Sequence, residues 1–204
     1  ILLIFDEVIS GFRVGFEGAA GLYDIKPDII TYGKIIGGGM PVGAYGASRE
    51  VMRHIAPEGK VYQAGTLSGN PVAMAAGKAQ LSECLKPGFY EDQARRTEAF
   101  TERLNRFAAA QRIPFKVFRC GSIFWFAFSE LEAIRRSDEI DPVSMNHFRA
   151  LHAALLERGV YLGPSGYEVG FVSSAHTDAV LDEAAGHIEA ALSAIFQRSA
   201  EGVS

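Results

Sequence analysis

Five apolar residues closed by an acid, Ile1-Leu2-Leu3-Ile4-Phe5-Asp6, open the chain without a polar interruption. Such a run predicts a strand buried on both faces of a parallel sheet, with Asp6 at its carboxyl end. Asp28-Ile29-Ile30-Thr31-Tyr32-Gly33 predicts a second buried strand, and Val42 to Ala47 a third, short one. Between them, Gly37-Gly38-Gly39 permits positive φ and close backbone approach, and Pro41 stops any helix starting there. Pro71 to Leu85 predicts a helix whose alanines and glycines allow tight packing against the sheet.

The pattern changes at Lys86-Pro87-Gly88, which places a boundary between residues 1–86 and 87–204. Phe89 to Ala110 carries Tyr90, Ala94, Thr97, Thr101, Leu104 and Ala108 at helical spacing. Lys116 to Arg119 and Ser122 to Phe128 predict strands, and Phe124, Trp125, Phe126 and Phe128 are expected in the core. A helix from about Ser144 to Arg158 should close on a left-handed Gly159. Thr177 can cap a last helix running to about Arg198, with Val180, Leu181, Ala184, Ile188, Ala191, Leu192 and Ile195 on one face. An α/β portion is thus followed by a small α+β domain.

Composition narrows the function classes. Of 204 residues 48% are hydrophobic, enough for a core, and the net charge of −4 with no basic cluster argues against nucleic acid. No apolar run approaches a membrane span. Cys84 and Cys120 lie far apart without CxxC spacing, which reads as free thiols in a reducing, cytoplasmic setting. The five histidines show neither HxH nor HExxH spacing, so no metal is expected.

The candidate chemistry lies in the first portion. Thr31-Tyr32-Gly33-Lys34-Ile35-Ile36 delivers Lys34 into the glycine loop, and two parallel strands would bring Asp6 and Lys34 to one sheet edge, where ligands of open α/β sheets bind. A lysine amine can condense with an aldehyde cofactor, and a carboxylate that keeps a pyridine nitrogen protonated makes the ring an electron sink. The pair therefore suggests a pyridoxal 5'-phosphate site. A rival from another class is the Walker B strand of a P-loop NTPase, in which Asp6 would handle magnesium and Glu7 activate water. Against it, no G-x-x-x-x-G-K-[ST] occurs, and Ile35 follows Gly33-Lys34.

Asp6-Glu7-Val8, Gly11-Phe12-Arg13, Asp28, Gly33-Lys34 and the glycine run together resemble the signature of class III, fold-type I aminotransferases. Gly37 to Gly46, Val61-Tyr62-Gln63-Ala64-Gly65-Thr66-Leu67-Ser68-Gly69-Asn70-Pro71 and Glu157 to Ser173 are similar to its aminomutase branch, which moves an amine within one amino-aldehyde substrate. The resemblance covers nearly the whole chain and is weakest at Cys84 to Arg119 and Ser129 to Met145. It implies that residues 1–86 are the C-terminal part of the large domain of a fold-type I pyridoxal-phosphate-dependent transferase, and residues 87–204 the small C-terminal α+β domain.

The resemblance also implies roles. Asp6 would pair with the pyridinium nitrogen, Val8 press on one ring face, and Lys34 hold the cofactor and then shuttle a proton. Gly65 and Thr66 would bind the cofactor phosphate of the neighbouring subunit in a homodimer. Glu168 would help position or gate the substrate end of the site. Departures are Gly166-Tyr167, where the family commonly has alanine and phenylalanine, and a longer connection around Ile134 to Asp141. The chain opens within what the family makes a central strand, so an upstream half is expected to carry a further phosphate cradle, an aromatic ring over the pyridine and a substrate-carboxylate arginine. Two other readings stay open: an intermolecular aminotransferase of amines or β-amino acids, and an inactive truncated fragment.

Overall fold

The computed structural model describes residues 1–201, with side chains as far as Gln197. The chain divides after Tyr90 into two compact units. In the first, β1 (Ile4–Glu7) runs parallel to β2 (Ile29–Tyr32), and β3 (Ala44–Ala47) completes the sheet antiparallel to β2. The parallel pair lies in the register Asp6 to Thr31 and Glu7 to Tyr32, so both strands present their carboxyl ends on the same edge. Burial of β1 on both faces is not found. Among the described residues β1 pairs with β2 alone, which leaves Leu2, Leu3 and Ile4 56%, 46% and 60% exposed.

Short helices that apolar periodicity could not reveal follow the strands: α1 (Gly18–Leu22) and α2 (Arg49–Met52). The longer α3 (Pro71–Cys84) starts where expected, because Asn70 Oδ1 accepts from the amides of Val72 and Ala73 at 3.0 and 3.2 Å, and Pro71 needs no donor partner. Its small residues face the turn that follows β2, rather than the sheet as the sequence suggests. A Cβ on Gly77 would stand 2.1 Å from the carbonyl oxygen of Ile36, and one on Gly38 would stand 2.4 Å from that of Ala76. Backbone thus packs on backbone between α3 and the segment after β2.

The second unit is built on α4 (Phe89–Gln111), which begins at the junction, and on the antiparallel strands β4 (Lys116–Cys120), β5 (Ile123–Ala127) and β6 (Gly170–Phe171). Leu104 and Ala108 of α4 pack with Phe115, Phe124, Phe126 and Phe128. Asn105 locks β4 to the helix by donating to Val117 O at 3.0 Å and accepting from Val117 N at 2.7 Å. Trp125 departs from the expected core. Strand alternation turns it to the opposite face, where it stacks on Phe118 and donates from Nε1 to Gly166 O at 2.8 Å.

Two helices close this core. The first, α5 (Met145–Leu156), buries Phe148, Leu151 and Leu155. It ends through Gly159, whose φ of 77° lets the amide of Val160 reach Leu155 O at 2.9 Å. The second, α6 (Asp178–Glu201), is capped by Thr177 Oγ1, which accepts from Val180 N at 3.3 Å, and buries Ala185, Ile188, Ala191 and Leu192. Val180 lies in the exposed first turn instead. Arg103 on α4 holds α6 with a two-pronged contact to Glu189, 2.8 Å to each carboxylate oxygen. Among the described residues no helix is long and apolar enough to cross a membrane.

Candidate active site

The carboxyl ends of β1 and β2 assemble three of the residues singled out by sequence. Asp6 is exposed, and its Oδ1 accepts from Val8 N at 3.0 Å and from Thr31 Oγ1 at 3.4 Å. Those two bonds orient the carboxylate and leave its second oxygen without a partner among the described residues. One strand over, Gly33 is buried, and a Cβ there would meet Val8 Cγ1 at 3.2 Å, so Val8 lies directly against the residue before Lys34.

Lys34 itself departs from ordinary backbone. Its φ is +47°, a region that side-chain-bearing residues avoid at a cost of about 1–3 kcal/mol unless their surroundings enforce it. The enforcement is visible on both sides. Gly33 before it is fully extended, and a single 3-10 turn, Lys34–Gly37, follows and ends at left-handed Gly38. The expectation that Pro41 excludes helix here holds only beyond that turn. The turn is backed by Gly77 of α3, where any side chain would collide with Ile36 O. The Lys34 side chain is exposed and makes no hydrogen bond or ion pair with the described residues. A strained turn thus presents a free amine at the edge that also carries an oriented carboxylate.

Gly65 and Thr66 lie in an exposed segment of the same unit. The amide of Ser68 closes a turn onto Gly65 O at 2.9 Å, and Asn70 then caps α3. Neither the amide nor the hydroxyl of Thr66 is bonded to another described residue, which leaves two donors for an anion. A cavity of about 800 Å³ takes in Gly65 and Ile36 but neither Asp6, Lys34 nor Thr66. Its lining is mostly apolar, and it is separate from the acid and amine. Glu168 belongs to the second unit. Exposed, it sits in the loop before β6, with its amide bonded to Ser165 O at 3.0 Å and its carboxylate over Gly163.

Sequence reading weighs the residue next to Asp6 only as the second acid of a Walker B strand. Glu7 is completely buried, and its carboxylate accepts from Ser10 Oγ at 2.5 Å, Ala19 N at 3.0 Å and Ala20 N at 2.6 Å. The Walker B role therefore has no carboxylate free to activate water. Among the described residues no cluster of three or more His, Cys, Asp or Glu side chains could hold a metal. Cys84 and Cys120 are free thiols.

Residues 1–192 match the family described as aminotransferase class-III. The chain belongs to that family. Over 181 residues it is 51% identical to a glutamate-1-semialdehyde 2,1-aminomutase of Desulfosudis oleivorans, an alignment covering 89% of this chain and 42% of the relative. Two solved structures superpose closely on this chain. A β-phenylalanine aminotransferase from Variovorax paradoxus gives a TM-score of 0.84 at 32% identity, over 93% of this chain and 43% of that one. A transaminase with PLP bound gives 0.80 at 30% identity, over 100% and 46%. The chain therefore spans about two fifths of the length of the curated relatives it matches, and its fold is the corresponding part of a fold-type I class III enzyme.

Proposed function

We propose that this chain is the C-terminal portion of a glutamate-1-semialdehyde 2,1-aminomutase, which converts glutamate-1-semialdehyde to 5-aminolevulinate for tetrapyrrole synthesis. The observation that carries the reading is the free amine of Lys34, held by a strained turn at the same sheet edge as the oriented carboxylate of Asp6. The donor set fits pyridoxal 5'-phosphate: an amine for its aldehyde, an acid for its ring nitrogen, an aliphatic face at Val8, and unbonded donors at Thr66. Bound there, the cofactor would supply an amine in one half of the cycle and an electron sink in both.

The residues divide the remaining work. Asp6 keeps the ring nitrogen protonated, because its negative charge favours the cationic form. Val8 packs on one ring face and excludes water from it. Lys34 would anchor the cofactor and, once released by substrate, its Nζ would carry the proton between the reacting substrate carbon and the cofactor's C4′ carbon. Gly65 and Thr66 hold the phosphate of the neighbouring subunit, so the working form is a homodimer, and Glu168 positions or gates the substrate end. Residues 1–86 act as the end of the large, cofactor-binding domain and residues 87–204 as the small domain. The setting is cytoplasmic, without nucleic acid or membrane partners.

A second reading, an intermolecular aminotransferase of β-amino acids, is favoured by the 32% identity to the β-phenylalanine enzyme. One assay separates the two. The complete enzyme, given glutamate-1-semialdehyde alone, should form 5-aminolevulinate without any second amino donor or acceptor. Turnover only when a donor and a keto acid are supplied would refute the aminomutase reading in favour of the second.

A further inference from the structure

Glu7 and Asp6 are consecutive on β1 and point to opposite faces, Asp6 towards the proposed cofactor and Glu7 into the protein. The Glu7 carboxylate gathers both ends of the segment that leaves the strand: Ser10 at its beginning, and the amides of Ala19 and Ala20 at its return. The two amides use different oxygens, Ala19 reaching Oε2 and Ala20 reaching Oε1. Gly18, with φ of +64°, stands so close that a Cβ would lie 2.6 Å from Oε2, and Gly11 leaves room for the Tyr32 ring, which would lie 2.7 Å from a Cβ there. Tyr32 is the cross-strand partner of Glu7 and immediately precedes Gly33-Lys34. The amide of Gly11 also donates to Glu7 O at 2.9 Å, so both the backbone and the carboxylate of Glu7 tie the start of this loop to the end of the strand.

We propose that Glu7 is a positioning residue for the reaction: by closing the neck of the loop between Ser10 and Ala20, it fixes the end of β1 from which Asp6 meets the cofactor ring. The inference rests on the reading of Asp6 given above. A carboxamide cannot replace the carboxylate, because one of the two amides would then face an N–H group and be left unsatisfied. Glu7→Gln is therefore an isosteric disruption, transmitted to Asp6 through a single peptide unit.

The test uses the complete, cofactor-loaded enzyme and follows two readouts: kcat per loaded site and the pH midpoint of the bound cofactor's visible absorption. Asp6→Asn should lower kcat and move the midpoint. Glu7→Gln should move the midpoint in the same direction by less and lower kcat by about tenfold, the order expected when a reacting group is displaced by a fraction of an ångström. In the Asp6→Asn background, Glu7→Gln should change kcat per loaded site by less than about twofold, since a residue acting through Asp6 has nothing left to position. If Glu7→Gln lowers thermal stability but leaves both readouts unchanged, or if its effect is undiminished on Asp6→Asn, Glu7 is structural only and the proposal falls. If Asp6→Asn itself changes neither readout, the reading of Asp6 fails first, and the proposal with it. Should Glu7→Gln not fold, Ser10→Ala removes one of the three bonds, and the same comparisons, with a smaller shift in the same direction, decide the matter.

Discussion

Replacing Gly77 by alanine opposes two effects of known size. In the interior of a helix such as α3, alanine is favoured over glycine by about 1 kcal/mol. Here the new Cβ would lie 2.1 Å from Ile36 O, and ordinary contact begins near 3.4 Å, so helix and Lys34 turn must separate by about 1.3 Å. Both partners are backbone, and no side chain can swing aside. Overpacking of this kind costs about 1–3 kcal/mol, and a backbone collision belongs at the upper end, so a net loss of about 1–2 kcal/mol is expected. In a complete enzyme of the length of these relatives, thermal unfolding should shift down by about 1–2 °C. Because the displaced turn carries Lys34, turnover per folded enzyme should fall by about 10- to 100-fold. Gly186→Ala on α6 is the control: its Cβ would meet nothing nearer than Arg103 Nη2 at 3.8 Å, so it should stabilise slightly and leave activity intact. A Gly77→Ala enzyme as stable and active as the Gly186→Ala enzyme would refute the account of how the Lys34 turn is held.

Borohydride reduction of the loaded enzyme followed by peptide mapping should place the phosphopyridoxyl group on Lys34; labelling of Lys26, Lys60 or Lys78 with Lys34 unmodified would contradict the assignment. Subunits altered at Thr66, mixed with subunits altered at Lys34, should regain activity in hybrid dimers, because one site is then built from the unaltered halves; dead mixtures with hybrids demonstrably present would assign Thr66 to its own subunit or to none. Tyr90 donates to Phe12 O at 3.1 Å, and burial, with the neighbouring Cys84 adding to it, pushes its pKa up. A raised folded value makes its contribution complete below the ordinary tyrosine range of about 10 and lost as pH climbs through the folded value. Tyr90→Phe should therefore flatten the alkaline limb of the stability curve, read by denaturant midpoints at rising pH; an unchanged limb would show that Tyr90 does not contribute to it.

What could be read from sequence follows a physical rule. The strands after Ile4 and Asp28 and the helices from Pro71, Phe89 and Thr177 announce themselves through apolar runs, periodicity or caps, because burial of side chains is what shapes those patterns. The placement of Asp6 and Lys34 at the ends of neighbouring parallel strands is legible for the same reason: each ends a run whose direction can be inferred. The contact between α3 and the Lys34 turn is made by backbone atoms, and its only trace is the absence of side chains at Gly38 and Gly77, which a glycine run and an alanine-rich helix disguise as flexibility and general smallness. Trp125 was misplaced because four aromatics in five positions mask strand alternation.

Glu7 shows the deeper limit. A charge beside another charge at a strand end reads as solvent-facing or catalytic, since carboxylates are seldom fully buried unless their oxygens are bonded. Here those bonds come from Ser10, Ala19 and Ala20, the last two 12 and 13 residues away along a loop with no periodic signal. Only the fold brings these donors together, so the same dipeptide that suggests water activation in one architecture becomes, in this one, an exposed acid at the sheet edge and a buried acid with both oxygens bonded. The two carboxylates share a strand and differ in everything that surrounds them, and the proposed division of work between them rests on that difference.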